Sequence, residues 1–430
     1  MQYVLGNMLN GGGINPDGLS LDLQFAADKT LTARRGPTPD FTRGSTATFV
    51  GSDGLIQSAA INIPRFDHDP VTLASRGLLI EESRTNAFQR SDDFGNSYWI
   101  KLRSTITSDA TTSPSGATDA DKLVEDTSTN SHIFYRLVNV GVTTPVSFSV
   151  FAKASERSWI QLECGDNFTA GSTAYFNLSN GTIGTVGAGA TASIQSMGNG
   201  WYRCVVVATP AAITNSGFYV NIATANGTRS YAGDGTSGVF LWGAQLEAGS
   251  FPTSYIPTTT APLARSADVC SITGANFTSF YNQSEGTMLV NSSCFAPEPL
   301  ALPSRRVVTA SDGTTGNRVA IGNIATGFVD AGLSQVFIVT TGGSVQATLG
   351  ISGLTLSSIN KTVGAYKEND FAVSTNSSAV VTDATGLVAT SLNRLEIGNQ
   401  ISDGFLCGHI AAIRYYKKRL PNAKLQALTV

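Results

Sequence analysis

Residues 239–247, VFLWGAQLE, alternate along the chain and run directly into SFPTSYIPTTTAPLARS, and this junction constrains the fold more than any other stretch. Phe240, Trp242, Ala244 and Leu246 fall on one side of an extended chain and Leu241, Gly243 and Gln245 on the other, the two-residue period of a half-buried strand. The segment that follows holds three prolines and a run of threonines, a composition that resists central pairing in a sheet and keeps the chain extended. A β-domain is therefore expected to close there, with a rigid linker behind it.

Short alternating runs bounded by Gly, Asn or Pro recur before that boundary. Val146, Phe148 and Val150 alternate with serines, and Ile160, Leu162 and Cys164 with Trp159, Gln161 and Glu163. Asn180-Gly181, Asn199-Gly200 and Asn226-Gly227 mark two-residue hairpin turns. No segment between residues 90 and 268 carries a helical period, so a two-sheet antiparallel jelly roll is the economical reading. Further strands are expected near 287–295, 306–310, 318–321, 335–340, 345–349, 362–366 and 372–374, with Gly342-Gly343 and Asn369-Asp370 as turns and a short helix after Pro421. In the first 90 residues, Leu19, Leu21, Leu23 and Phe25 alternate without a break, which predicts a strand with one buried face, leaning on the jelly roll.

At 430 residues the chain exceeds one ordinary core, so two or three domains are expected. Charged residues make up 14%, against roughly 25% in typical soluble proteins, while 41% are hydrophobic with no apolar run near the roughly 20 residues of a membrane span. Membrane insertion is not expected. Ser, Thr, Asn and Gly must then supply the polar surface, which suits protease-exposed β-proteins and neutral glycan partners. A net charge of -3, with no basic cluster beyond Lys417, Lys418 and Arg419, argues against nucleic acid. The amino terminus lacks the pattern of a secretory signal, and five scattered cysteines form neither a disulfide scaffold nor a zinc site. Folding in a reducing cytoplasm is expected.

Four separated strings, PRFDHDP (residues 64–70), GLLIEESRTNAF (77–88), GNGWYRC (198–204) and the 233–268 stretch, together resemble the bacteriophage head-spike, head-fibre and tail-fibre proteins. Those proteins join a carbohydrate-binding-module-like jelly roll to a concanavalin A-like (laminin-G-like) domain. The resemblance implies an all-β chain of two antiparallel β-sandwiches preceded by an extended N-terminal arm. Its divisions are a virion-anchoring arm with short strands (1–89), the jelly roll (90–257), a Pro/Thr linker (258–269) and the concanavalin A-like sandwich (270–430). Further implications are a virion protein made in the host cytoplasm, docked on other virion proteins by its arm, assembled as a homo-oligomer with a trimer favoured, and contacting host-surface glycans.

Each candidate site residue also has a plain structural reading. Trp159, Trp201, Tyr175, Tyr202 and Tyr219 stand on or beside jelly-roll strands; aromatic faces stack on sugar rings, although most large aromatics in a sandwich belong to its core. Asp119, Asp121 and Asp126 offer oxygen ligands at short spacing for a structural calcium ion, without the regular spacing of a dedicated calcium loop. Asp67, His68 and Asp69 sit in a proline-flanked string that reads as a rigid turn rather than an acid-base cluster. Glu81 and Glu82 point to opposite faces of a strand, leaving Arg84 to bridge Glu82. No pair of acids stands out as glycosidase-like, Glu163 with Glu247 being one arbitrary choice, and no phosphate loop, serine elbow or zinc-protease string occurs. The expectation is a non-enzymatic adhesive virion protein, with a capsid decoration protein and a glycan-degrading tailspike as the rival classes.

Overall fold

The computed structural model describes residues 17–295, 305–323, 333–401 and 404–430. It is all-β and antiparallel throughout. Residues 1–16 of the expected N-terminal arm lie outside the described residues.

Two six-stranded sheets form the first unit. One runs in the order Ala190–Ser196, Trp201–Ala208, Val146–Ala154, Gly238–Ala248, Ala120–Glu125, Ser104–Thr111. The other runs Thr182–Val186, Thr173–Asn177, Trp159–Cys164, Ser216–Ala223, Ile133–Val138, Ile100–Leu102. Val150, Val206 and Leu246 of the first meet Ile160, Phe176 and Val220 of the second in one hydrophobic core. Burying each such side chain stabilises by about 1.5–3 kcal/mol. The turn at Asn199-Gly200 places both residues at positive φ, 51° and 80°, as a tight primed hairpin requires.

One predicted face breaks in the middle. In Gly238–Ala248, Val239 and Leu241 join Ala244 and Leu246 in the core, whereas Trp242 turns to the opposite side and packs with Phe151, Trp201 and Tyr255. The register on the neighbouring strand shifts at this point, and Gly243 adopts φ +62°. A bulge adds one residue, and with a side-chain period of two that addition exchanges the faces.

The second unit has a seven-stranded sheet, Asp40–Thr42, Val269–Thr273, Arg394–Ile397, Arg305–Ser311, Arg318–Asn323, Leu333–Thr341, Ser344–Ser352. Opposite it, an eight-stranded sheet runs Val381–Asp383, Phe371–Thr375, Asn360–Lys367, Glu285–Cys294, Gly408–Tyr416, Ser75–Ile80, Phe66–His68, with Leu19–Leu23 also pairing to Gly408–Tyr416. Val290, Ile413, Val308, Ile321 and Phe337 share its core. The closing strand buries both Ile410 and Ile413, three apart, because a bulge opposite Asn291 and Ser292 resets its alternation. The helix Asn422–Leu428 follows Pro421 and buries Leu425.

The N-terminal segments thus differ from the expectation that they lean on the jelly roll. Leu21, Leu23 and Phe25 are fully buried in the core of the C-terminal unit, and the strand before them is hydrogen-bonded to Gly408–Tyr416. The expected linker is likewise packed structure. Phe251, Tyr255 and Ile256 are buried, and Leu263–Arg265 pairs with Arg84–Asn86. A sequence pattern reports that a face is buried, not which partner buries it.

The four resemblance-bearing strings converge on this strap. Asp268 receives Arg43 at 3.1 Å and Arg65 at 2.5 Å, Arg65 also pairs with Glu81 at 2.7 Å, and Arg265 lies 3.5 Å from Glu81; all five side chains are at most 1% exposed. Burial opposes ionisation of Glu81, but Arg265, Arg65 and the Ser254 hydrogen bonds outweigh it and hold its pKa at about 2. Arg203 of the GNGWYRC string donates to the Thr253 carbonyl at 2.7 Å. Asp67 accepts from the Val50 amide and from His409 at 2.7 Å, Asp69 caps the Val71 and Thr72 amides, and Arg84 bridges Glu82. These motifs tie the N-terminal strands, the strap and both sheet units together.

Candidate functional site

Alternation places Ile160, Leu162, Phe176, Phe218, Val220 and Phe134 inside the first unit, so their sequence neighbours point outward on the same sheet. Cross-strand register then aligns two rows. Tyr135, Tyr219, Glu163 and Thr173 make one; Ile133, Asn221, Gln161 and Tyr175 make the other. Trp159 stands at the end of its strand, opposite Asn177 and Ala223.

Tyr219 lies flat on this face. A Cβ on Gly217 would come within 2.2 Å of Tyr219 Cε2 and Oη, and one on Gly165 within 2.8 Å of Cε2, so the two glycines make room for the ring on the sheet. Its hydroxyl reaches Asp166 Oδ2 at 3.1 Å, and Tyr135 stacks beside it with ring centroids 4.9 Å apart and planes at 24°. Such a pair contributes about 0.5–1.5 kcal/mol beyond burial and holds both rings in a fixed attitude. Burial, with Asp166 adding, pushes the Tyr219 phenol up to about 12, so the phenol stays a hydroxyl donor at neutral pH. Tyr175 is buried at 8% exposure, and burial raises its pKa as well.

The polar part of the face comes from Gln161, Glu163, Asn221 and Arg229. Arg229 crosses from the segment after the Asn226-Gly227 turn to pair with Glu163 and to reach Gln161 Oε1 at 3.3 Å. Trp159 is half-buried and hemmed by Gly184, where a Cβ would lie 2.8 Å from the indole, so it borders the face rather than forming an open platform.

Three of the five expected aromatics, Trp159, Tyr175 and Tyr219, therefore share one surface. Trp201 and Tyr202 do not. Trp201 is 2% exposed on the other sheet, with its indole N–H on the Thr112 carbonyl at 3.0 Å, and Tyr202 packs against the internal core. Tyr135 was missed because Ile133–Val138, IFYRLV, is apolar on both sides and carries no readable alternation. Its one signal is register: it stands directly opposite Tyr219.

The three acids expected to offer calcium ligands are not brought to one point. Asp121 spends its carboxylate on the Phe94 and Asp109 amides, while Asp126, beyond the far end of Ala120–Glu125, bonds Ser128 and approaches His132 at 3.3 Å. Asp119, Asp121 and Asp126 do not converge, and among the described residues no group of three acidic, histidine or cysteine side chains could hold an ion. Glu163 and Glu247 share no groove either, since Glu247 is fully buried on the other sheet and bonded to Thr253. All five cysteines are buried and none takes part in a disulfide. No helix among the described residues is long and apolar enough to cross a membrane.

A cleft of 1220 Å³ lies elsewhere, between Thr48–Val50 of the N-terminal part, the outer side of the Arg203 strand, the strap and Phe295, Ile359 and His409. Its charged groups are already engaged, His409 with Asp67 and Arg203 with Thr253 and Ser149. The aromatic face, by contrast, presents ring surface and polar side chains together. In comparisons with known proteins the chain matches no family model and no curated relative, so the functional reading rests on this face and on the resemblance of its motifs.

Proposed function

We propose that the chain is a phage virion protein, a head fibre or spike or a tail fibre, that presents the Tyr135–Tyr219 face of its jelly-roll unit to host-surface glycans. In this reading it is made in the host cytoplasm, docks on other virion proteins through its N-terminal arm and assembles as a homo-oligomer, a trimer being the expected form. No catalytic step is assigned. The observation that carries the adhesive part is the Tyr219 ring laid over Gly165 and Gly217 and stacked on Tyr135. A flat, immobilised ring bordered by amide and carboxylate groups is what stacking on a pyranose needs, and display of many copies turns weak contacts into avidity.

The test is binding of the purified full chain to bacterial cells and to their extracted surface polysaccharide, with Tyr219→Ala and Tyr135→Ala alongside. Saturable binding weakened by both substitutions supports adhesion through this face. A second reading, a capsid decoration protein without a ligand, is favoured by Ile61, Ile63, Val71 and Leu73, which stand 47–57% exposed on loops of the N-terminal part. Absence of binding together with assembly onto particles selects that second reading.

A further inference from the structure

Asn221 is the one residue of the aromatic face whose side chain is fully buried with neither amide atom hydrogen-bonded. Buried amides are normally paired, because leaving a donor and an acceptor dry is costly. Its cross-strand neighbours are Gln161 on one side and Ile133 on the other, and it lies on the floor between Tyr175 and the Tyr135–Tyr219 stack. Arg229, held by Glu163 and Gln161, crosses the same row from above.

We infer that the ligand of this face is a neutral pyranoside whose adjacent hydroxyls pair with the Asn221 amide, and that the Glu163–Arg229 pair roofs the site in the free protein. The inference rests on the adhesive reading and narrows it. An amide offers one acceptor and two donors side by side. One hydroxyl can donate to Oδ1 while its neighbour accepts from Nδ2, which matches a vicinal diol. Displacing the roof also frees the Glu163 carboxylate to accept from a third hydroxyl. The Arg229 side chain is 42% exposed and follows a tight turn closed between Ala225 and Thr228, so it has solvent to swing into. Anionic sugars fit poorly. The single cation here is already paired with Glu163, and Asp166 adds a second carboxylate beside Tyr219.

The experiment titrates the full-length protein with neutral polysaccharides (a mannan, a galactan and a glucan) and with anionic polygalacturonate and polysialic acid, at low and high salt. Asn221→Leu keeps the side-chain volume and removes the unpaired amide. Its melting temperature is expected to equal or exceed that of the unmodified chain, while affinity for the bound neutral polymer falls at least tenfold. Arg229→Ala removes the roof and is expected to raise the association rate several-fold. Binding of neutral polymer that is unaffected by Asn221→Leu overturns the inference and leaves adhesion standing. Preference for the anionic polymers, lost in high salt, overturns the neutral class. Failure to bind any polymer and any cell removes the adhesive reading itself.

Discussion

Asp268→Ala probes the junction where the motifs meet. The carboxylate is fully buried; Oδ1 accepts from Arg43 at 3.1 Å, and Oδ2 accepts from Arg65 at 2.5 Å and from the Glu81 amide at 2.9 Å. Its removal leaves three buried guanidinium groups, Arg43, Arg65 and Arg265, facing Glu81 alone, and strands one backbone N–H. Breaking a buried ion pair from one side costs about 3–5 kcal/mol, since the abandoned charge stays dry. The orphaned amide adds about 1–3 kcal/mol by itself, and overlap between the two effects brings the expected total to about 4–5 kcal/mol. Urea unfolding followed by tryptophan fluorescence measures the loss without the screening that guanidinium salts introduce. The internal control is Arg34→Ala, which breaks the Arg34–Asp28 pair: its contact is 2.6 Å, but the side chains are 51% and 26% exposed. That pair is expected to contribute less than about 1 kcal/mol. Equal losses for the two variants would refute the argument, because contact distance rather than burial would then set the energy.

Gly217→Ala should lift the Tyr219 ring from the sheet, costing little stability because a side-chain ring can move, while abolishing glycan binding measured by pull-down; retained binding would show that the ring's flat attitude is irrelevant. Leu23→Ala, at a fully buried position in the C-terminal core, should destabilise by about 2–5 kcal/mol in the same urea assay, and a loss below about 1 kcal/mol would mean that the strand is not integral to that unit. Burial, reinforced by Asp119, Asp93 and Asp121, pushes the Asp92 carboxyl up to about 6. A raised carboxyl binds its proton more tightly in the folded state, so its stabilising contribution is complete below about pH 4 and is lost as pH rises through about 6. Asp92→Asn should therefore stabilise the protein at pH 7 by about 1–2 kcal/mol after allowance for solvent screening, with the gain vanishing near about pH 4 in a pH series of thermal melts.

The turns and many strands were legible from local pattern. Asn180-Gly181, Asn199-Gly200, Gly342-Gly343 and Asn369-Asp370 all sit between paired strands, and the runs at 146–150 and 160–164 bury the residues their alternation indicated. Thr182–Val186, largely exposed, carries no hydrophobic period and escaped notice, as did Ala190–Ser196, whose weak alternation of Ala190, Ala192 and Ile194 packs only partly against the core. Of the candidate face, the outward positions of Trp159, Tyr175 and Tyr219 follow from period two once the strands are known. Trp201 reads the same way in sequence, yet its outward side is covered by the strap.

Read by itself, the chain determined that it is all-β, where it turns and which residues face together, because those properties depend on backbone preferences within a few positions. Tertiary structure alone decided the partners. Leu19–Leu23 pairs with a strand at the far end of the chain, Gly243 inserts a bulge that exchanges the faces of its strand, and Arg43, Arg65, Glu81, Arg265 and Asp268 come together in a dry cluster. In sequence a buried guanidinium is indistinguishable from a solvated one. Its energy depends on what surrounds it, and that is assembled from segments hundreds of residues apart.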